Sequence, residues 1–344
     1  MSGAHVAGGT QSGDANDRST GGARATGTHG VLTLGEGLGV LRTRGLGTLA
    51  HESDLVVGTG GAEGNVAIGL ARLGSPVTWL GRVGDDGLGT RVVRELRAEG
   101  VTVIASTDAA ATGLLIKETP APGRTAVTYH RAGSAGSRLS PADLDLVDVG
   151  AFDLLHVTGI TPALSATARD AMDAAVDRAR AVGVPVSFDV NHRSSLWADA
   201  SAASAAYRSI AARADLVFAG VDEAELVTGL VDSGASPADL ARAIAELGPR
   251  EVVVKLGEAG ALALVDGDVH ERAAVPVAVV DTVGAGDAFV AGYLAARLDG
   301  DGVDGRLDLA VRTGAAACTH PGDWEGFPTR RDLERPLGDD PVSR

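Results

Sequence analysis

The residues best suited to chemistry lie in one glycine-rich turn, where Gly284 and Gly286 precede Asp287 and an apolar, helix-patterned segment follows. Backbone N–H groups at the start of a helix have no intrahelical partner and carry the positive end of its dipole, so they attract phosphate. Glycine lets the backbone approach such an anion closely. A carboxylate is out of place beside an anion unless it reacts, so Asp287 is predicted to deprotonate a hydroxyl group that a phosphoryl group approaches. The alternative is that Asp287 only caps its helix.

A second glycine pair, Gly60 and Gly61, precedes another helix-patterned segment and is followed by Asn65. The Asn65 amide can donate and accept hydrogen bonds at once, as sugar hydroxyls require, although it could equally cap its own helix. Neither turn completes a nucleotide motif. No Lys-Ser/Thr follows Gly286 as in a P-loop, and Phe289 stands where G-x-G-x-x-G has its third glycine.

The composition limits the fold and the partners. With 344 residues the chain can form one large α/β domain or two small ones. A formal charge of −15 without a basic block argues against nucleic acid, and it means that an anionic ligand must meet local cations. The single cysteine, Cys318, fits a cytoplasmic location, and no apolar run is long enough to predict a membrane span. We interpret residues 1–28 as a disordered tail and 335–344 as a flexible C-terminus around one domain, 29–334.

The elements that must position these residues alternate between strands and helices from residue 31 onward. Short apolar runs such as 31–34 predict strands, and segments with helical spacing such as 63–73 separate them. The alternation predicts an α/β fold with a central, mostly parallel sheet flanked by helices on both faces. Residues 38–59 and 113–131 have the pattern of β-ribbons, which we expect to form a small β-lid that excludes water from the mouth of the sheet. The alternative is an ordinary edge hairpin.

Two stretches of the chain resemble signatures of the ribokinase-like (PfkB) carbohydrate kinases. Residues 281–289 match the C-terminal form D-T-x-G-A-G-D-x-F, and residues 60–67 match the N-terminal form G-G-x-x-x-N-x-A. The resemblance covers about residues 30–330. It implies a ribokinase-like fold with a β-lid, ATP and Mg²⁺ as cofactors, and Asp287 as the catalytic base. It also implies an anion hole made by the backbone amides of Gly284, Ala285, Gly286 and Asp287.

The same resemblance implies the remaining ligands. Glu223 takes the place of a glutamate that organises Mg²⁺ indirectly, although Gly220 stands where that motif has an asparagine. The ATP site is assigned to Lys255, Gly257, Gly260, Thr282, Gly284 and Gly286. The sugar site is assigned to Glu36, Gly60, Gly61, Asn65, Lys117, Tyr129, Arg131, Arg193 and Asp287.

Within the family, residues 131–137, 159–164 and 189–197 are most similar to the 2-keto-3-deoxygluconate kinases. A sugar acid requires a fixed cation for its carboxylate, and Arg193, just after a predicted strand, suits that task. These kinases carry Tyr-x-Arg on a lid strand. Here Leu115 replaces the tyrosine and Lys117 keeps the charge, so Tyr129 and Arg131 would partly replace the missing group.

The nearest alternatives are kinases for fructose, ribose, 5-keto-2-deoxygluconate or a nucleoside. A nicotinamide-dependent Rossmann enzyme and a non-catalytic sugar-binding regulator are more distant ones. As partners we expect a sugar or sugar acid and ATP, and a homo-oligomer that would form through the β-lid.

Overall fold

The structure is a computed structural model that describes Met1 and residues 30–121 and 124–334. The predicted C-terminal segment 335–344 and, apart from Met1, the predicted tail 1–28 lie outside the described residues. Within them the chain forms thirteen strands and ten α-helices, numbered below in chain order. Each of these helices is too short or too polar to cross a membrane.

The main sheet has nine strands, which are β1 (Val31–Leu34), β4 (Val77–Gly84), β5 (Thr102–Asp108), β8 (Leu154–Thr158), β9 (Val186–Asp189), β10 (Leu216–Gly220), β11 (Glu251–Lys255), β12 (Ala261–Val265) and β13 (Asp268–Arg272). Their order is β13-β12-β11-β10-β9-β8-β1-β4-β5. The pairs from β11 to β5 are parallel, and β12 and β13 are antiparallel. The prediction of a mostly parallel sheet is confirmed. Strand order reverses between β1 and β8, which is where ligands bind in open α/β sheets.

Helices cover both faces of this sheet, and they are α1 (Ala62–Arg72), α2 (Gly87–Ala98), α3 (Thr161–Leu164), α4 (Ala166–Ala181), α5 (Ala200–Ala211), α6 (Val221–Thr228), α7 (Pro237–Ala245), α8 (Ala285–Leu298), α9 (Val303–Ala317) and α10 (Arg330–Leu333). Successive side chains of a strand point to opposite faces, so each strand contributes side chains to the hydrophobic core on either side of the sheet. Leu32 and Leu34 pack in a cluster with residues of α4, α5 and α7. Val31 and Trp79 pack in a second cluster with residues of α1, α8 and α9.

A second, four-stranded sheet forms from the two regions whose pattern predicts β-ribbons, and its strands are β2 (Leu38–Thr43), β3 (Leu55–Gly60), β6 (Gly113–Ala121) and β7 (Arg124–His130). Their order is β3-β2-β6-β7, with β2 and β6 parallel and the outer pairs antiparallel. Leu38, Val40, Leu115 and Tyr129 form an apolar cluster within this second sheet. Because they alternate along their strands, these residues share one face of the sheet.

The apolar pattern does not predict the two edge strands of the main sheet, β5 and β13. β13 is mostly exposed and reads Asp-Val-His-Glu-Arg, so it has little apolar content to detect. β5 is only half-buried along most of its length. Both strands form because they pair with a buried neighbouring strand. This is a tertiary effect, which the propensity of a single segment does not predict.

Candidate active site

A cavity of about 370 Å³ lies where the second sheet meets the start of α8 and the loops that follow β8 and β9. Twelve predicted site residues line it, namely Gly61, Asn65, Lys117, Tyr129, Arg131, Arg193, Glu223, Lys255, Thr282, Gly284, Gly286 and Asp287. Five others do not line it, namely Glu36, Gly60, Gly257, Gly260 and Ala285. Asn191, Asp323 and Ile160 line the cavity without having been predicted as ligands. The two glycine turns therefore meet in one place, as the sequence predicts.

Asp287 is fixed by two asparagine side chains from distant parts of the chain. It lies in the first turn of α8 and is buried. Asn65 Nδ2 donates to its Oδ2 at 2.8 Å, and Asn191 Nδ2 donates to its Oδ1 at 3.2 Å. Each carboxylate oxygen thus accepts one amide N–H, which holds the carboxylate in one orientation and leaves lone pairs for a further donor.

Burial raises the pKa of Asp287 to about 6. The hydrogen bond from Asn65 lowers this pKa, the nearby charge of Asp189 raises it, and the charges of Arg193 and Lys255 lower it. A carboxylate with this pKa is ionised at neutral pH and is a stronger base than an exposed aspartate. That is the condition for a general base that works near pH 7.

The turn before α8 requires glycine at position 284. Gly284 has φ 78°, and a Cβ there would lie 1.8 Å from the carbonyl oxygen of Asp323. The N–H of Ala285 donates to the carbonyl oxygen of Thr282 at 3.3 Å, so this amide of the predicted anion hole is already used within the turn. The first-turn amides of Gly286 and Asp287 have no acceptor inside the helix. They are the better candidates for an anion.

Lys255 adds a positive charge beside this turn. Its Nζ lies 3.9 Å from the place that a Cβ on Gly286 would occupy, and it is 2.7 Å from Asp189 Oδ1. Burial lowers the pKa of Lys255, but the carboxylates of Asp189 and Glu223 outweigh that effect and raise it. The lysine therefore stays charged, next to the predicted position of a phosphate.

Gly257 and Gly260 lie in the turn between β11 and β12, just beyond Lys255. Gly260 has φ 110°, and a Cβ there would lie 2.0 Å from the carbonyl oxygen of Arg272. The turn thus has its own reason to contain glycine, which is close backbone packing. Their contact with ATP stays a prediction.

Arg131 and Tyr129 present a cation and an aromatic hydroxyl to the cavity from the end of β7. The Arg131 guanidinium lies over the Tyr129 ring, 5.2 Å from its centroid, and Arg131 Nε donates to Glu36 Oε2 at 2.7 Å. The Ser134 hydroxyl donates to the other oxygen of Glu36. Glu36 is predicted as a sugar ligand, but the structure places it behind Arg131 as its support.

Residues 115–117 are predicted to supply the cation of a lid strand that lacks the usual tyrosine. Lys117 lines the cavity, and its ammonium group forms an ion pair with Asp281. Leu115 belongs to the apolar cluster of the second sheet. The Tyr-x-Arg pattern is present one strand later, as Tyr129-His130-Arg131, and both of its functional side chains line the cavity.

The first glycine pair is explained by close packing. Gly61 has φ 125°, and a Cβ there would lie 2.3 Å from the carbonyl oxygen of Glu36. A Cβ on Gly60 would lie 2.3 Å from Asp323 Oδ2, so Gly60 makes room for that carboxylate. Gly60 is therefore a neighbour of the cavity, and Asp323 lines the cavity beside it.

Two buried acceptor atoms point to a hydroxyl-rich ligand. Asn65 Oδ1 and Asp323 Oδ1 have no hydrogen-bond partner among the described residues, and both side chains line the cavity. Burial raises the pKa of Asp323 to about 7; Lys117 lowers this pKa, and the carboxylates of Glu325, Asp287 and Asp281 raise it. Because buried acceptors are normally satisfied, sugar hydroxyls are suitable donors for both atoms.

Glu223 fits an indirect role with a metal better than a direct one. Its Oε1 accepts the backbone N–H of His192 at 2.7 Å, and its Oε2 accepts that of Gly220 at 2.6 Å. No group of three or more His, Cys, Asp or Glu side chains in residues 30–121 and 124–334 could hold a metal ion. Mg²⁺ typically keeps several waters and binds substrate phosphates, so these residues fit an ion that arrives with the nucleotide.

Sequence reasoning missed Asn191 and Asp323 for different reasons. Asn191 lies two residues before Arg193 and has φ 39°, a conformation that asparagine tolerates better than most residues. Its type and its place after a strand were therefore a usable signal. Asp323 follows Pro321 and Gly322 in a loop after α9, and nothing in that local pattern indicates that the loop reaches the cavity.

Comparisons with known proteins agree with this geometry. A family model described as pfkB family carbohydrate kinase matches residues 40–330. The chain is similar to the 2-dehydro-3-deoxygluconokinase of Bacillus subtilis (strain 168), with 38% identity over 88% of this chain and 94% of that protein. It is also similar to the fructokinase of Klebsiella pneumoniae, with 37% identity over 83% of this chain and 94% of that protein. A solved structure is also similar, that of a putative ribokinase II from E. coli in complex with ATP and Mg²⁺. Its TM-score is 0.80 and its identity 26%, over 89% of this chain and 98% of that one.

Proposed function

Because the chain belongs to the pfkB family of carbohydrate kinases, we propose that it phosphorylates the terminal hydroxyl of 2-keto-3-deoxygluconate to give the 6-phosphate. Membership of the family makes the chain a sugar phosphotransferase that uses ATP and Mg²⁺. The proposal concerns which sugar it takes and which residues act. The observation that carries it is a pair of arginines, Arg131 and Arg193, at the cavity of a protein with a formal charge of −15.

These arginines favour a sugar that bears a carboxylate. Arg131 is held by Glu36 and stacked on Tyr129, so its guanidinium is oriented in advance. Arg193 donates to the carbonyl oxygen of His192 at 3.0 Å, and it has no carboxylate partner among the described residues. A guanidinium matches a carboxylate in shape as well as charge. The relative from Bacillus subtilis named 2-dehydro-3-deoxygluconokinase supports the same substrate.

In the proposed reaction, Asp287 accepts the proton of the C6 hydroxyl as that oxygen attacks the γ-phosphorus of ATP in line, and the bond from this phosphorus to the bridging oxygen breaks to release ADP. Asn65 and Asn191 hold the Asp287 carboxylate in place, and the free Oδ1 of Asn65 accepts a second sugar hydroxyl. The amides of Gly286 and Asp287, together with Lys255, stabilise the charge on the phosphoryl oxygens. Mg²⁺, when bound, neutralises phosphate charge. The second sheet keeps water from the reacting atoms.

Two further expectations accompany this function. The single cysteine supports a cytoplasmic location, where thiols stay reduced. The second sheet exposes Val57, which is more than a third exposed, and its edge strands β3 and β7 are open. Edges of that kind tend to pair with another chain, which supports a homo-oligomer through this sheet.

Coupled measurement of ADP release tests the substrate. The panel is 2-keto-3-deoxygluconate, fructose, ribose and gluconate, each with saturating ATP and Mg²⁺. We expect the highest kcat/KM with 2-keto-3-deoxygluconate. A higher kcat/KM with fructose, the substrate class of the Klebsiella pneumoniae relative, would overturn the choice of sugar. Absence of ADP release with every sugar would favour a non-catalytic sugar-binding regulator.

A further inference from the structure

The ammonium group of Lys117 connects the second sheet to the turn before α8. Lys117 extends from β6, and its side chain is 4% exposed. It forms an ion pair with Asp281, whose side chain is 9% exposed. Asp281 is the first residue of the turn 281–284, which leads into α8. The ion pair is thus buried where the second sheet meets the turn before α8, at the edge of the cavity.

The Asp281 carboxylate organises the backbone around it. Its Oδ1 accepts the N–H of Val283 at 3.2 Å, and its Oδ2 accepts the N–H of Gly322 at 3.2 Å. Gly322 precedes Asp323, whose carbonyl oxygen closes on Gly284. One carboxylate therefore joins the turn 281–284, the loop at 322–323 and the second sheet.

The charge of Lys117 is what makes this junction stable. A buried carboxylate without a partner is strongly unfavourable, so loss of the ammonium group would drive Asp281 towards water or another donor. That movement would pull on the N–H groups of Val283 and Gly322. The amides at the start of α8 follow this turn directly, so their positions depend on the pair.

We propose that Lys117 is a positioning residue for phosphoryl transfer, which couples the place of the second sheet to the shape of the turn 281–284. The inference rests on the proposed function only in that this turn receives the phosphoryl group. Lys117 acts on kcat with every sugar. Arg131 and Arg193, in contrast, act on the binding of a sugar that bears a carboxylate.

Steady-state kinetics of Lys117→Met test the proposal, with 2-keto-3-deoxygluconate and with the best neutral sugar of the panel. We expect kcat to fall about a hundredfold with both sugars, the loss that a misplacement of about 1 Å produces. The KM should rise by a similar factor for both sugars, because the loop that Asp281 holds through Gly322 also carries the cavity residue Asp323. Arg42→Met is the matched control, because Arg42 lies opposite Lys117 on β2 and carries the same charge. Arg42 does not line the cavity among the described residues, so that variant should keep the wild-type kcat.

Chemical rescue separates positioning from a general loss of structure. Lys117→Ala leaves space beside Asp281 that opens to the cavity, so added propylammonium should restore part of kcat. Tetramethylammonium at the same ionic strength has the charge without N–H donors, and it should restore less. Equal effects of the two ions would contradict the proposed hydrogen-bonded pair.

Two results would overturn the proposal. One is a raised KM confined to the sugar acid with normal kcat, which would make Lys117 a ligand of the substrate carboxylate. The other is an unchanged kcat with both sugars. If Lys117→Met does not fold, Lys117→Met with Asp281→Asn removes the unpaired buried carboxylate; because the contact between the second sheet and the turn is still lost, its kcat should stay below that of the wild type with both sugars. ADP release by the wild-type protein from any sugar is enough for this test, so a different sugar specificity overturns the substrate proposal alone.

Discussion

Replacement of Asn65 by leucine should move the acid limb of the pH–rate profile upward. Leucine has a similar size and shape but lacks the N–H that donates to Asp287 Oδ2 at 2.8 Å. A hydrogen bond to a charged group is worth about 1.5–3 kcal/mol, and about 1.4 kcal/mol corresponds to one pKa unit. Loss of the bond disfavours the ionised form, so the pKa of Asp287 should rise from about 6 to between about 7 and 8.

The consequence at pH 7 is large enough to measure. The ionised fraction of Asp287 should fall from about nine-tenths to between about one-tenth and one-half. The variant should therefore regain activity as the pH is raised, although it will have lost a sugar contact as well. The assay is kcat/KM for the best sugar as a function of pH, because this ratio reports the pKa values of the free enzyme.

Tyr129→Phe is the matched control for this experiment. Tyr129 lines the same cavity, and its hydroxyl is proposed to contact the sugar. Its loss should raise KM and leave the acid limb in place. If Asn65→Leu lowers kcat/KM equally at all pH values, or moves the limb to lower pH, the asparagine does not set the basicity of Asp287 and the reasoning fails.

Three further outcomes are expected. Asp287→Asn should lower kcat by about 10²–10⁴-fold, the range of general base catalysis, while the Kd for ATP measured by calorimetry stays near that of the wild type; near-normal kcat would contradict its role as base. Arg193→Ala should raise KM for 2-keto-3-deoxygluconate by about ten- to a hundredfold but spare fructose, and equal effects on both sugars would remove the carboxylate assignment. Asp323→Asn should stabilise the ligand-free protein above pH 7. The raised pKa of Asp323, about 7, means that its contribution to stability is present at low pH and is lost as the pH rises through that value. Urea unfolding near pH 5 and pH 8 tests this. If the variant is no more stable than the wild type at pH 8, ionised Asp323 does not lower the free energy of unfolding.

The parts of the site that the sequence predicts are those that are local in the chain. Gly284, Gly286 and Asp287 form one turn and one helix start, so their spacing alone predicts the proposed anion site and its acid. The same holds for Gly61 and Asn65 at the start of α1. Helix termini have a fixed geometry, and a motif that spans one can be interpreted without the rest of the molecule.

The parts that the sequence could not predict depend on which strands are neighbours. Lys117 meets Asp281 only because β2 and β6 pair in parallel and place that strand beside the turn. Glu36 meets Arg131 across 95 residues of chain, so its role as a support is invisible locally. Asp323 reaches the cavity from a loop without any pattern of its own. Contacts of this kind are set by tertiary packing rather than by propensity.

The late position of Asp287 in the chain, relative to its two asparagine partners, limits when the site can form during synthesis. Asn65 and Asn191 are 222 and 96 residues away from Asp287 along the chain. Asp287 itself comes from the last fifth of the sequence. A nascent chain on the ribosome therefore holds both asparagines long before the carboxylate that they bind has been translated. Contacts of such high sequence separation slow folding, and activity requires these two, so recovery of activity after dilution from denaturant should be no faster than the folding phase in which they form.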